Sequence, residues 1–350
     1  MSKRILDRLK EMDINLTFMH VCGTHQDTLI RFGLDSEFER VGVDIRQGPG
    51  CPVCVTPPGE IEEILALARA KVTIAVFGDV MKVPGESGSL NDAKAEGADV
   101  RIVFGVDDAV RLAEKTKKDV VFMGIGFETT APTTASALLS NPPDNFSVLS
   151  CHRTVPPALE AIANMGEIRL DGMIEPGHVS TIIGTKPYEF LSRKYHIPQV
   201  VAGFEPLDLM MGVYMLAVQV KDGKAVVENE YTRVVHADGN PAAMKAMKEA
   251  FTPADVVWRG FSVIEGSGLA IRKKLERHDA RKRFEDILAP VHSRAHGEAK
   301  GCRCGEILRG ILTSEECPLF AKKCTPNSPV GPCMVSREGS CYIAYRYLKK

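Results

Sequence analysis

Short apolar, β-branched runs recur along this chain, and each is followed by a segment of helical periodicity. VTIAVF covers Val72 to Phe77, VVFMGIG begins at Val120, FSVLSC covers 146–151 and QVVAGF covers 199–204. Parallel strands need long crossovers, usually helices, so this alternation predicts α/β architecture with parallel sheets. Between the runs, EIEEILALARA sets Ile61, Ile64, Leu65 and Ala68 at helical spacing. PPALEAIANM is a helix with proline in its first turn, YEFLSRKY a helix and LDLMMGVYMLAVQV a mostly buried helix. An amphipathic helix with Ile5, Leu9 and Met12 on one side opens the chain, and FMHVC (18–22) is a strand with GTH as the turn after it. VRIVF (100–104) and DGMI (171–174) are further strands, and a helix runs from Asp107 to about Lys117. AVVENEYTRVVH reads as a hairpin or an extended arm. The expected division is a first α/β domain over 1–127, a second over 128–235 and a C-terminal region over 236–350, with the α/β boundary near Gly126 to Pro132. Beyond Ala280 the pattern gives way to cysteine, glycine and proline, and such a segment needs a staple to hold its shape.

The chain has 350 residues, beyond the size at which one core stops growing. A formal net charge of −1 gives no global field toward nucleic acid or membrane. The charge is uneven: from Arg272 onward 17 Lys and Arg stand against 9 Asp and Glu. A solvated surface accounts for that as well as an anionic partner does. MSKRILDRLKEMD lacks the apolar centre of a signal peptide, and the longest apolar stretch, around Leu209 to Val220, is too short and interrupted to span a bilayer. A cytoplasmic location is therefore expected, where structural disulfides are rare and cysteines point to metal or redox work.

Six of the ten cysteines lie in the last fifty residues: Cys302, Cys304, Cys317, Cys324, Cys333 and Cys341. Their run is C-x-C-x12-C-x6-C-x8-C-x7-C. A [4Fe–4S] cluster needs four thiolates, whereas structural zinc favours paired C-x-x-C knuckles, which this tail lacks. Iron–sulfur is therefore favoured over zinc. Cys51 and Cys54 form a separate C-x-x-C in GPGCPVC, suited to a reversible disulfide or to half of a metal site. Pro57 and Pro58 precede a helix whose N-terminal field lowers a nearby thiol pKa.

Six polar motifs follow strands: CGTH, GDVMKVPG, GFETTAPTT, SCHRTVPPA, EPGHVS and GFEP. In open α/β sheets the crevice beyond the strands' carboxyl ends binds ligands. No G-x-G-x-x-G and no Walker A loop is present, which argues against a nucleotide role. Cys22 and His25 could face one ligand, although a lone Cys/His pair is more often a turn histidine bonded to backbone. His152 and His178 invite the same caution. Glu128, Glu175 and Glu205 suit acid–base or supporting work and, equally, helix capping or arginine pairing.

Taken together, CGTH, GPGCPVC, GFETT, EPGHVS and the closing CRCGEILRG…CPLF…CTPNSPVGPCMVSREGSC closely resemble the HypD family of [NiFe]-hydrogenase maturation proteins, through nearly the whole length. The resemblance implies two Rossmann-like α/β domains and a smaller, mostly helical or irregular iron–sulfur region. Its cluster spacing, C-x14-C-x6-C-x16-C, maps onto Cys302, Cys317, Cys324 and Cys341, which leaves Cys304 and Cys333 as extra thiols. It further implies a scaffold for iron bearing two cyanides and one carbon monoxide, Fe(CN)2CO. The implied partners are a HypC-like chaperone and a HypE-like cyanide donor loaded with HypF-like help. No nucleic acid or membrane partner is expected, and the chain alone is expected to be a monomer. Cys22 resembles the family's essential iron-binding thiol, and Cys51 and Cys54 its redox pair, which also reaches the metal. His25 would orient the iron-bound group. The expected activity is an electron relay from cluster to dithiol to iron, in an assembly scaffold with cyanide-transfer chemistry. The alternatives are an iron–sulfur disulfide oxidoreductase acting on a protein and a zinc-stabilised binding module.

Overall fold

The computed structural model describes residues 1–348. The strands in chain order are β1 (Leu16–His20), β2 (Val43–Gln47), β3 (Thr73–Val76), β4 (Val100–Ile102), β5 (Val120–Gly126), β6 (Phe146–His152), β7 (Gly172–Pro176), β8 (Gln199–Ala202), β9 (Val227–Asn229), β10 (Phe251–Val257) and β11 (Val263–Ile271). They build a parallel five-stranded sheet in the order β2-β1-β7-β8-β9, a parallel four-stranded sheet in the order β4-β3-β5-β6, and an antiparallel β10-β11 ribbon. The expected α/β class with two parallel sheets and an irregular cysteine-rich region is what the chain adopts.

Period-two alternation distributes each strand between two cores. In β5, Val120 and Phe122 face an outer core, while Val121, Met123 and Ile125 face an inner one. In β1, Leu16 and Phe18 join a third core under helices Ser2–Glu11 and Pro206–Lys221, and Met19 faces inward. The inner core is shared: Val201 and Met173 from the first sheet, Val76 and Leu149 from the second, and the buried tail cysteines all belong to it. One apolar interior therefore joins both sheets and the C-terminal region.

The expected boundary near residue 127 does not follow the sheets. It falls between β5 and β6, which pair from Val120↔Phe146 to Gly126↔His152. The first sheet instead takes β1 and β2 from the chain's start and β7 to β9 from beyond residue 171, with the whole second sheet inserted between them. The alternation of apolar residues reports which face a strand buries, and carries no record of which strand lies beside it. Two local readings also change. GTH is the first turn of helix Gly23–Arg31, and AVVENEYTRVVH contributes the edge strand β9 in place of a hairpin. The ribbon comes later, as β10 and β11.

Candidate metal and dithiol site

The carboxyl end of β1 delivers Cys22 to the N-cap of helix Gly23–Arg31. Burial pushes its thiol up to about 12, opposed by the backbone N–H groups of His25 and Thr24. Its Sγ lies 3.8 Å from His178 Nδ1. His178 stands at the end of β7, which pairs directly with β1, so strand order brings these two side chains together. Burial lowers His178 to about 4, which keeps its imidazole neutral and available as a donor to metal. His20 receives the Cys22 N–H on Nδ1 at 3.4 Å and donates from Nε2 to Gln26 Oε1 at 2.8 Å.

His25 has a different part. Its Nε2 donates to the carbonyls of Gly203 (2.9 Å) and Ala202 (3.3 Å), tying the CGTH turn to the end of β8. That fixes the proton on Nε2 and leaves Nδ1 an unpartnered buried acceptor. The ring holds the loop that presents Cys22.

The second sulfur motif follows β2. Gly48 N donates to His20 O at 2.7 Å, and Gly23 N to Gly50 O at 3.3 Å, so GPGC is laced to the CGTH loop. A Cβ on Gly50 would collide with the backbone of Val21 and Cys22. Only glycine allows this approach. Cys51 then caps the one-turn helix Pro52–Val55, its Sγ accepting the Cys54 N–H at 3.2 Å. Cys51 and Cys54 form a buried disulfide with Cα atoms 5.2 Å apart. Pro52 and Val53 face a cleft of about 330 Å³ that also meets Asp79 after β3, the Gly126–Phe127 turn and Thr130 after β5, and His178. The carboxyl ends of both sheets thus converge on one crevice, as the strand-end motifs lead one to expect.

Glu338 reaches this cleft from the C-terminal region. It lies so close to Gly23 that a Cβ there would strike it. Burial raises both Glu338 and Asp79, and Ser336 Oγ donates to Asp79 at 3.2 Å. Behind the cleft, burial pushes Glu128 to about 7 and Glu175 to about 8, and neither Glu175 oxygen has a partner. Glu128 Oε1 accepts the Val155 N–H at 2.9 Å. Glu205 sits at the head of helix Pro206–Lys221, its N–H bonded to Asp208. His152 is bound to Thr134 Oγ1 at 3.0 Å inside the second sheet. These last two are structural.

In the tail, Cys302, Cys304, Cys317, Cys324 and Cys341 line one small cavity walled by Ile307, Phe320 and Met334. Gly331 runs so near that a Cβ there would lie 2.6 Å from Cys302 Sγ and 2.7 Å from Cys304 Sγ. Cys333 is buried, and the neighbouring Cys304 thiol together with that burial holds its own thiol well above the usual range. Among the described residues, no three His, Cys, Asp or Glu side chains converge as one metal ion would need. Thiols arrayed around an apolar cavity suit a cluster of several irons better than a single ion, so the donor set fits a [4Fe–4S] cluster. All four cysteines expected to hold it are at the cavity wall. Helix Cys304–Leu308 and the Pro332–Met334 turn both pack on helix Pro52–Val55. The dithiol helix therefore touches the tail-cysteine elements and, through GPGC, joins the Cys22 loop.

Comparison with known proteins identifies the family. The family model described as "HypD: Hydrogenase formation hypA family" matches residues 1–348. The chain belongs to the HypD family. Hydrogenase maturation factor HypD of Cupriavidus necator is 44% identical over 343 residues, covering 94% of this chain and 89% of that protein. The HypD of Rhodobacter capsulatus is 42% identical over 335 residues, 94% and 88% of the two chains. The HypD of Escherichia coli is 41% identical over 358 residues, 98% and 94%. Within this HypD-family chain, Asp79, Thr130 and Glu338 are cleft residues that sequence reasoning did not single out. Asp79 and Thr130 fall inside quoted strand-end motifs. Glu338 falls inside the quoted closing motif, between Cys333 and Cys341.

Proposed function

We propose that this chain serves hydrogenase maturation as the scaffold on which iron receives two cyanides and one carbon monoxide. The substrate iron binds the Cys22 thiolate at the cleft, with neutral His178 beside it and Cys51 and Cys54 close behind. A HypC-like chaperone and a HypE-like thiocyanate carrier supply the metal fragment and the cyanide.

Electron balance gives the dithiol its task. Releasing cyanide from a thiocyanate consumes two electrons and one proton: R–S–CN becomes R–SH and CN⁻. Oxidation of the Cys51 and Cys54 thiols to their disulfide yields two electrons and two protons. One round therefore moves one cyanide to iron, forms the Cys51–Cys54 bond and leaves one proton over. A second cyanide requires that the bond be reduced again. Cys302, Cys317, Cys324 and Cys341 would hold a [4Fe–4S] cluster, whose chemistry would be one-electron transfer. Cys304, at the cavity wall, and Cys333 sit on the two elements that touch the dithiol helix.

The observation that carries this reading is the packing of Gly50 on the Cys22 backbone, with the tail-cysteine elements against the short helix that follows it. Burial of Cys51 and Cys54 favours a small group in the cleft over a protein disulfide as the oxidant. The test is infrared spectroscopy of anaerobically purified protein with its HypC-like partner, because cyanide and carbonyl stretches fall in an otherwise empty window. Wild type is expected to show both bands. Cys22→Ala is expected to lose both along with the non-cluster iron, and Cys51→Ala to keep iron and lose the cyanide bands. Full cyanide loading in Cys51→Ala would end the dithiol's role.

A further inference from the structure

A groove separates strand β2, at the outer edge of its sheet, from residues 312–315 of the C-terminal region. β2 is the outer strand of its sheet, and all five of its residues line the groove. An outer strand offers unpaired backbone N–H and C=O groups, the feature that lets another segment add to a sheet.

Two side chains in the groove wall lack partners. Gln47 is only 8% exposed, yet neither its amide nitrogen nor its amide oxygen has a hydrogen bond. Ser340, 2% exposed, has an unpartnered hydroxyl. Buried polar atoms in native proteins are nearly always bonded, so a donor, an acceptor and a hydroxyl left open in one groove ask for a ligand with the same mixed character. A peptide bond has it. The rim is acidic: Asp35, Glu39 and Glu315 form no ion pair among the described residues, whereas Asp44 is paired with Arg46 at 2.6 Å. The absence of any three converging metal donors among the described residues argues against a single cation as the occupant.

We propose that this groove binds an extended, lysine- or arginine-rich segment of a partner protein as an added strand on β2. Its backbone amides pair with the open edge, Gln47 and Ser340. Its basic side chains meet Asp35, Glu39 and Glu315. The groove also has two routes inward. Gln26, which lines it, holds His20, which in turn receives the Cys22 N–H. Ser340 opens the helix Ser340–Arg346 that carries Cys341. A segment seated here therefore touches the supports of both the metal loop and the cysteine cavity. The proposal does not depend on the cyanide chemistry and survives its failure.

The test titrates the full chain with the peptide acetyl-Lys-Val-Lys-Val-Lys-amide and its glutamate counterpart, by calorimetry and by hydrogen exchange. The lysine peptide is expected to bind, to protect amides of residues 43–47, and to weaken with salt. The combined Asp35→Asn, Glu39→Gln and Glu315→Gln variant should bind about ten-fold more weakly, the sum expected of three exposed ion pairs. Gln47→Leu should fold normally and bind more weakly, since it removes an amide that is unpartnered in the free protein. The proposal is overturned by no binding at millimolar peptide, by equal binding of the glutamate peptide, or by an unaffected triple variant. It is also overturned if magnesium saturates the same carboxylates, or if sedimentation shows a second copy of the chain filling the groove.

Discussion

At Cys22, burial and the helix head pull in opposite directions, and burial wins. The thiol is protonated at neutral pH until a metal displaces the proton. His178, lowered to about 4, is already neutral and releases nothing. Iron binding should therefore strengthen about ten-fold per pH unit between about pH 6.5 and 8.5, the slope for one proton released. Competition titration with a chelator measures it, and Cys22→Ser should remove both the slope and the retained iron. Glu175 provides a stability counterpart. Its folded-state pKa is raised to about 8 by burial, so the stability tied to its neutral form is full below the unfolded value, about 4.3, and drains as pH rises toward 8. Glu175→Gln keeps the neutral form permanently. It should match wild type at pH 5 and unfold at higher temperature above pH 8, by on the order of 1 kcal/mol for each unit crossed. Calorimetry at the two pH values decides it. The two orphan oxygens of Glu175 are what make glutamine a tolerable replacement: no partner is lost.

At the level of elements, the short helix Pro52–Val55 depends on backbone contacts that only glycine permits. Gly50→Ala forces a Cβ into the Val21–Cys22 backbone, and the overpacking should cost about 1–3 kcal/mol. Because the strain falls on the Cys22 loop, iron retention should drop more than the stability loss alone explains. Ser89→Ala is the control: it removes the capping box of helix Leu90–Ala95, costs about 1 kcal/mol, and should leave iron retention unchanged. Denaturant unfolding and iron analysis on the same preparations separate the two effects. Helices and strands of this kind were readable from sequence because burial writes itself into periodicity. Ile61, Ile64, Leu65 and Ala68 are all buried on helix Pro58–Arg69, as their spacing requires. The β10-β11 ribbon was not readable, for a physical reason. Much of β10 is solvated, Pro253 interrupts it, and its pairing shifts register between Ala254 and Val256, so it shows little apolar alternation. Partner choice among parallel strands was equally silent, which is why the unit boundary moved.

Across the whole molecule, the sulfur motifs announced the chemistry, but their convergence needed topology. His178 meets Cys22 only because β7 returns beside β1 across an inserted sheet. Glu338 meets Gly23 only because the tail folds back over the Cys22 loop. No local pattern encodes either event. The tail itself has little regular structure from residue 301 onward: short helices, turns and the cysteine cavity. Yet it presses on two parts of the candidate site, the helix Gly23–Arg31 and the dithiol helix. Glu338 covers Gly23, the Cys304 and Cys333 elements bear on the dithiol helix, and Tyr347 Oη donates to Asp27 Oδ1 at 3.1 Å. If the cysteine cavity is the tail's staple, stripping its inorganic content should loosen far more than the tail. Hydrogen exchange after anaerobic chelation and oxidation should accelerate in residues 301–346 and, with them, in 22–31 and 51–55, while the central strands β5 and β6 keep their protection. Loosening confined to 301–346 would mean that the tail merely rests on the sheets. Uniform acceleration would mean that the cavity supports the whole fold. Only the graded pattern fits a tail that locks the Cys22 loop and the dithiol together as one unit.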